Sequence, residues 1–319
     1  MYSGRQEALI KPLLDKFTEE TGITVNLVTG KGDALISRLK AEGQFSPADM
    51  IVMADVGRLV RAEQMGLTQA ISEQTVLSKL DAKWQDKQGK WIALTKRARP
   101  IMVKKGTFED NSLVSLMQLT DEKYRNSVCI RSSSNIYNQS MMSGLIALWG
   151  EEKALAWAKG LVANFARSPK GGDRDQIKAM VAGECSIAIA NTYYLGGMLA
   201  AKDKTTREVA QQVKVIWHDQ TNLTGSEPGM GTHVNVSGAA ITAHAKNKAN
   251  AETLLAYMLT DEAQQWYAQI NHEYPVIDGV ALSPELASFG EFKGQDLDLK
   301  TIGKNNANAL ILMDRAGWK

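Results

Sequence analysis

The stretch ADMIVMADVGRLVRAEQMG, Ala48 to Gly66, decides the architecture. ADMIVMA is a short continuous apolar run, the pattern of a strand covered on both faces. VGRLVRAEQMG follows at once and reads as a helix. A fully covered strand running straight into a helix is the repeating unit of α/β proteins. Working outward toward the N-terminus, EALIKPLLDKFTEETG places Leu9, Ile10, Leu13, Leu14 and Phe17 on one helical face, with Gly22 as its stop. ITVNLV reads as a strand, with Ile23, Val25 and Leu27 on one side. GDALISRLKAEG reads as a helix, with Asp33 as its N-cap and Gly43 as its end.

The same alternation continues toward the C-terminus. KWIALT, RPIMVKK, SVCIRSS, CSIAIAN, QQVKVIWHD and NVSGAAITA read as strands. QSMMSGLIALWGEEKALAWAKGLVANF reads as a helical hairpin broken at Gly150. RDQIKAMVAGE, NKANAETLLAYMLT and TDEAQQWYAQI read as helices, and Ser283–Pro284 is a good N-cap and N1 pair. There is no internal repeat and no low-complexity linker. The boundary between domains is therefore expected to be crossed more than once by compact strands rather than by a tether.

Composition excludes several classes. The 319 residues suffice for two domains. Apolar residues make up 44% and charged residues 23%, which gives no case for long disorder. The net charge of +2, from 37 basic and 35 acidic residues spread along the chain, argues against a nucleic-acid surface. No apolar run approaches a membrane span. The four histidines, His218, His233, His244 and His272, show no metal-ligand spacing. Cys129 and Cys185 are too few for a disulfide scaffold; one bridge and two separate buried thiols both remain open. No P-loop, GxSxG or HExxH motif is present, so an enzyme is not expected.

The chemistry concentrates in tyrosines. Tyr2, Tyr137, Tyr193 and Tyr194 fall at strand ends or in loops, where open α/β sheets bind ligands. Tyr124, Tyr257, Tyr267 and Tyr274 read as structural. Asn191 and Thr192 are competent N-caps, which puts Tyr193 and Tyr194 in a first helical turn. There they should diverge by roughly 100°, as adjacent corners of an octahedron do. The positive end of the helix favours a phenolate. Phenols ionise at neutral pH only for a strong, hard cation, for which ferric iron is the natural candidate. TKRARP adds Arg97 and Arg99, a fork suited to a small oxyanion such as carbonate; the competing reading of that run is a solvated strand end.

Seven segments carry a resemblance across the whole chain: MYSGRQEALIKPLLDKFTEETGI, PADMIVMADVGRL, ALTKRARPIMVKK, VCIRSSSNIYNQS, ANTYYLGGM, GTHVNVSGAAI and LLAYMLTDEAQQWYA. The sequence resembles the bacterial periplasmic ferric-iron-binding proteins, the solute receptors of iron ABC transporters. The resemblance implies an α/β, two-lobed type II periplasmic-binding-protein fold, each lobe a mixed sheet flanked by helices. The lobes would comprise residues 1–99 plus about 228–271, and 100–227 plus about 272–319, with the ligand in the cleft between them. It implies Tyr137, Tyr193 and Tyr194 as ligands of Fe(III), Tyr2 as a weaker candidate, and Arg97, with Arg99 as its alternate, on a carbonate or other small anion. Some branches use a histidine and a glutamate; here Gln6 and Ala54 stand at those positions and neither can serve.

The resemblance further implies a periplasmic monomer, with no catalysis, whose signal peptide is absent from this sequence and which delivers iron to an inner-membrane ABC permease. Cys129 and Cys185 would then lie in an oxidising space, and a bridge between them would brace both ligand-bearing segments. Iron would dock on the tyrosines first and lose affinity as pH falls. The alternative is a receptor of the same fold for an organic cation, a polyamine or a phosphonate, its tyrosines stacking on the ligand.

Overall fold

The computed structural model describes residues 1–109, 111–221 and 229–319. It contains two compact units, and the chain passes from one to the other after Lys96, Val234, Leu282, Leu297 and Lys304. The first unit comprises Met1–Lys96, Asn235–Leu282 and Asp298–Lys304; the second comprises Arg97–Val234, Ser283–Leu297 and Asn305–Lys319. The division differs from the expected one in several places, beginning with an opening segment that ends at Lys96 rather than 99 and a middle segment that starts at Asn235 rather than about 228. The middle segment of the first unit runs on to Leu282 rather than to 271, and Asp298–Lys304 returns to it. Part of the reason is packing: Ile302 and Leu299 join the first unit's apolar core. The expected boundary at 227/228 lies outside the described residues.

Among the described residues, eleven strands form two sheets. They are β1 (Tyr2–Ser3), β2 (Val28–Thr29), β3 (Met50–Met53), β4 (Thr68–Gln69), β5 (Ile92–Ala98), β6 (Ile101–Lys104), β7 (Val128–Cys129), β8 (Ile187–Ile189), β9 (Val213–Ile216), β10 (Val234–Thr242) and β11 (Tyr274–Pro275). The first unit's sheet has the order β11-β5-β10-β3-β1-β2, with β4 also on β10. It is mixed: β1 runs parallel to β2 and β3, while β10 runs antiparallel to β3. As its apolar run predicts, β3 is buried along its whole length. Asp55 then caps the helix Val56–Gln64, accepting from the Gly57 N–H at 2.9 Å. Gly22 ends the helix Lys11–Thr21 in the left-handed conformation that glycine adopts without strain.

Two local expectations fail for identifiable reasons. Of ITVNLV, only Val28 enters a strand, because the partner strand β1 is itself just Tyr2–Ser3. Ile23, Val25 and Leu27 still pack against the core. Asp33 is not an N-cap. The helix Gly32–Glu42 begins from Lys31, and the Asp33 carboxylate instead accepts from Arg58 and Arg61.

The second unit's sheet, β7-β8-β6-β9, positions the site. β7 and β8 are parallel neighbours, while β6 is antiparallel to β8 and β9. Successive side chains of a strand face opposite sides, and each side here has its own core. Ile101, Val103, Val128, Ile187 and Ile189 join one apolar cluster with Met141, Leu145, Trp157 and Leu312. Met102, Cys129 and Ala188 join the other, with Ile177, Leu195 and Met198. Helices therefore cover both faces. Each large apolar side chain withdrawn from water in this way contributes roughly 1.5–3 kcal/mol. Cys129 and Cys185 form a disulfide, as the resemblance implied, closing a loop across 56 residues at the base of β7 and β8.

Candidate functional site

Because β7 and β8 run parallel side by side, the segments that leave them emerge at one edge of the sheet. Each leads into a helix whose first turn carries tyrosine. After β7, Asn135 caps the helix Ile136–Trp149, its side chain accepting from the Tyr137 N–H at 3.2 Å. Tyr137 is thus the second residue of a helix and not part of a loop. After β8, the helix Thr192–Leu199 begins, with Tyr193 and Tyr194 in its first turn as expected. Its cap residue, Asn191, makes no side-chain capping bond. That side chain instead accepts from Arg99 Nη1 at 3.0 Å.

The two adjacent phenols do not diverge as helix geometry alone predicts. Their rings lie against one another, centroids 4.3 Å apart and tilted by 37°. Both side chains are half-buried. Tyr137 is close enough to disfavour ionisation of both. Burial first, then the charge of the neighbouring Tyr137 and Tyr194 phenols, pushes Tyr193 well above the ordinary phenol value. Burial likewise pushes Tyr194 up to about 12, with Tyr137 and Asp173 adding to the effect and a hydrogen bond with Tyr193 opposing it. Tyr193 and Tyr194 thus resist ionisation, and the adjacent Tyr137 adds to that resistance; a bound cation would favour their phenolate forms.

Arginines surround this set. The Arg97 guanidinium lies 5.3 Å from the Tyr137 ring centroid and Arg131 lies 5.6 Å from it. Arg174 lies 5.6 Å from the Tyr194 ring. Arg97 and Arg99 are 2% and 1% exposed, so the solvated-strand-end reading of TKRARP is wrong. The two play different parts. Arg99 is engaged at both terminal nitrogens, while its buried Nε has no partner among the described residues: Nη1 donates to Asp173 Oδ2 at 2.9 Å and Nη2 donates to Asn138 Oδ1 at 2.7 Å. With Asn191 as its third partner, its two terminal nitrogens are taken and do not offer a bidentate fork to an anion. His233 lies nearby, its Nδ1 on Gln295 Oε1 at 3.1 Å. Burial, with the adjacent Arg99 and Arg97 charges, lowers it to about 3, so it remains neutral.

Tyr2 is also withdrawn. It sits in β1, 1% exposed, within the first unit's apolar core. Its hydroxyl donates to the Glu42 carboxylate at 2.8 Å, and Arg38 stacks on its ring. Sequence reasoning missed Arg131, Arg174 and Asp173. Arg131 lies inside CIRSSSNIY and Asp173 opens a helix after two glycines, but neither position carries a periodic signal. Among the described residues, no group of three or more His, Cys, Asp or Glu side chains could hold a metal ion.

The family model for bacterial extracellular solute-binding proteins matches residues 13–294. The chain belongs to that family. This solute-binding protein is 42% identical, over its full length and 87% of the relative's, to iron uptake protein A1 of Synechocystis. Its fold superposes with TM-score 0.93 on the Trichodesmium protein IdiA (FutA) in complex with iron and citrate ligands, at 42% identity over 100% of this chain and 98% of that one. A ferric binding protein from Campylobacter jejuni matches with TM-score 0.93 and 35% identity, over 100% and 99% of the two chains. The expected periplasmic-binding-protein fold, two helix-flanked sheets, is therefore the one this solute-binding protein has. It is a receptor and not an enzyme. Among its described residues, no helix is long and apolar enough to cross a membrane.

Proposed function

We propose that this solute-binding protein captures ferric iron through the phenolates of Tyr137, Tyr193 and Tyr194. The observation that carries the reading is the convergence of these three phenols at two helix N-termini on one sheet edge, ringed by arginine. Three phenolates neutralise a trivalent ion, and hard cations select anionic oxygen. The helix ends, whose dipoles favour negative charge, help offset the cost of ionisation. Arg97 holds a carbonate or another small anion on a remaining coordination position. The protein works as a periplasmic monomer and delivers its cargo to the permease of an inner-membrane ABC importer. Relatives named for iron uptake and ferric binding support the cargo.

A second anion reading has its own observation. Arg97, Arg131 and Arg174 together bring more positive charge than one carbonate balances. A multiply charged chelator such as citrate suits them, and citrate accompanies iron in the Trichodesmium neighbour. The organic-cation and polyamine alternative fares worse, since three guanidiniums stand where it would need carboxylates. Ferric affinity measured by chelator competition, with no added anion, with bicarbonate and with citrate, separates these cases. Iron should bind tightly, most tightly with the anion that Arg97 holds, and Tyr194→Phe should weaken it in every condition. Equal, weak uptake by wild type and Tyr194→Phe would overturn the assignment.

A further inference from the structure

Arg99 makes a set of contacts that an anion holder would not make. Its guanidinium reaches three chain segments at once. Nη2 donates to Asn138, the residue after Tyr137. Nη1 donates to Asn191, two residues before Tyr193. Nη1 also donates to Asp173, the first residue of the helix Asp173–Val181. Asp173 in turn accepts from the Asn191 backbone N–H at 2.9 Å and lies 3.8 Å from Arg131 Nη1. The Arg131 guanidinium lies over the Tyr137 ring. The backbone of Arg99 is itself fixed: its N–H donates to the His233 carbonyl at 2.9 Å, and its own carbonyl accepts from His218 Nε2 at 3.2 Å.

The two tyrosine-bearing helices lie on opposite faces of the second unit's sheet. Packing within either face does not set the distance between their first turns. A rigid planar fork bonded to both can do so. We propose that Arg99, with Asp173 as its counter-charge, is a positioning group: it fixes the first turn carrying Tyr137 relative to the first turn carrying Tyr193 and Tyr194. The inference rests on the tyrosine reading of the site and adds what holds the three phenols in register. Lysine keeps the charge but has one nitrogen where three acceptors at separate positions must be met, so Arg99→Lys is not conservative here.

The test uses the intact protein with Arg99→Lys and with Asn138→Ala, which leaves the Arg99–Asp173 pair in place should the first variant fold poorly. Ferric affinity and the visible absorption of the loaded protein are read with and without bicarbonate. In the metal-free protein, hydrogen exchange is followed at the first turns of Ile136–Trp149 and Thr192–Leu199. Both variants are expected to weaken ferric binding by about 10- to 100-fold, as loss of a group that orients metal ligands does, with bicarbonate or without it. Their absorption band should shift, and exchange at both first turns should quicken. A loss confined to bicarbonate-containing samples would make Arg99 an anion holder and overturn the proposal, as would unchanged affinity, band and exchange. Wild type that takes up no ferric iron would remove the cargo reading alone; the exchange measurement still decides the positioning claim.

Discussion

Acidification should release the metal steeply, and the slope can be worked out from the site. Tyr193 and Tyr194 both have their hydroxyls pushed above the ordinary phenol value, Tyr194 to about 12. In the metal-free protein they are therefore protonated at every pH from acid to well above neutral. As metal ligands they are phenolates, so each releases one proton on binding. Mass action then raises Kd about tenfold per proton for each unit of pH lowered, because one unit corresponds to about 1.36 kcal/mol for each proton. Two such phenols contribute about 100-fold per unit, or about 2.7 kcal/mol, and the proton lost when Tyr137 becomes a phenolate ligand contributes about a further tenfold. Since both groups titrate far above neutrality, the slope should persist from pH 8 to 5 without levelling off. The assay is competition against a chelator of known protonation at fixed ionic strength, reading the visible band of the loaded protein. Tyr194→Phe should cut the slope by about tenfold per unit, having lost one of the protons. A wild-type Kd that moves less than about threefold between pH 7 and 6, or a slope untouched by Tyr194→Phe, would refute phenolate ligation by this pair.

Two other perturbations probe the scaffold. Replacing Cys129 and Cys185 by serine should lower stability by about 4 kcal/mol on a chain-entropy reckoning for a loop of this length, seen as an earlier urea midpoint; the wild-type cysteines should resist alkylation unless first reduced. Matching midpoints for the two proteins would show that the bridge contributes nothing. Tyr2→Phe should cost about 1 kcal/mol, because Ser46 and Arg38 still bond Glu42, and should leave ferric affinity unchanged. A fall in affinity comparable to that of Tyr194→Phe would return Tyr2 to the ligand set.

Much of this arrangement is legible in the sequence. The continuous apolar run of Met50–Met53 and the helix start at Asn191 are local signals that survive into the fold, although the Asn191 side chain bonds Arg99 rather than its own helix. Strand length is not local. ITVNLV alternates well but finds a partner only two residues long, and pairing decides where a strand stops. Asp33 has the chemistry of a cap, yet two arginines from the helix Val56–Gln64 claim it. The parts of Arg97 and Arg99 could not be separated from TKRARP. The partners of Arg99 are Asp173, Asn138 and Asn191, all distant in the chain. Arg131 and Arg174 went unnoticed for the same reason: stacking on a tyrosine ring from another segment leaves no periodic trace. The mutual approach of Tyr193 and Tyr194 is a rotamer outcome that helix geometry alone misjudged.

Resonance Raman spectroscopy of the ferric-loaded protein, excited within its visible absorption, tests the central claim most directly. Phenolate-to-iron charge transfer enhances ring vibrations of the coordinating tyrosines and of nothing else in the chain. The spectrum should show tyrosinate modes that weaken in each of Tyr137→Phe, Tyr193→Phe and Tyr194→Phe. Iron-loaded protein without tyrosinate modes, or with modes indifferent to all three substitutions, would contradict the account.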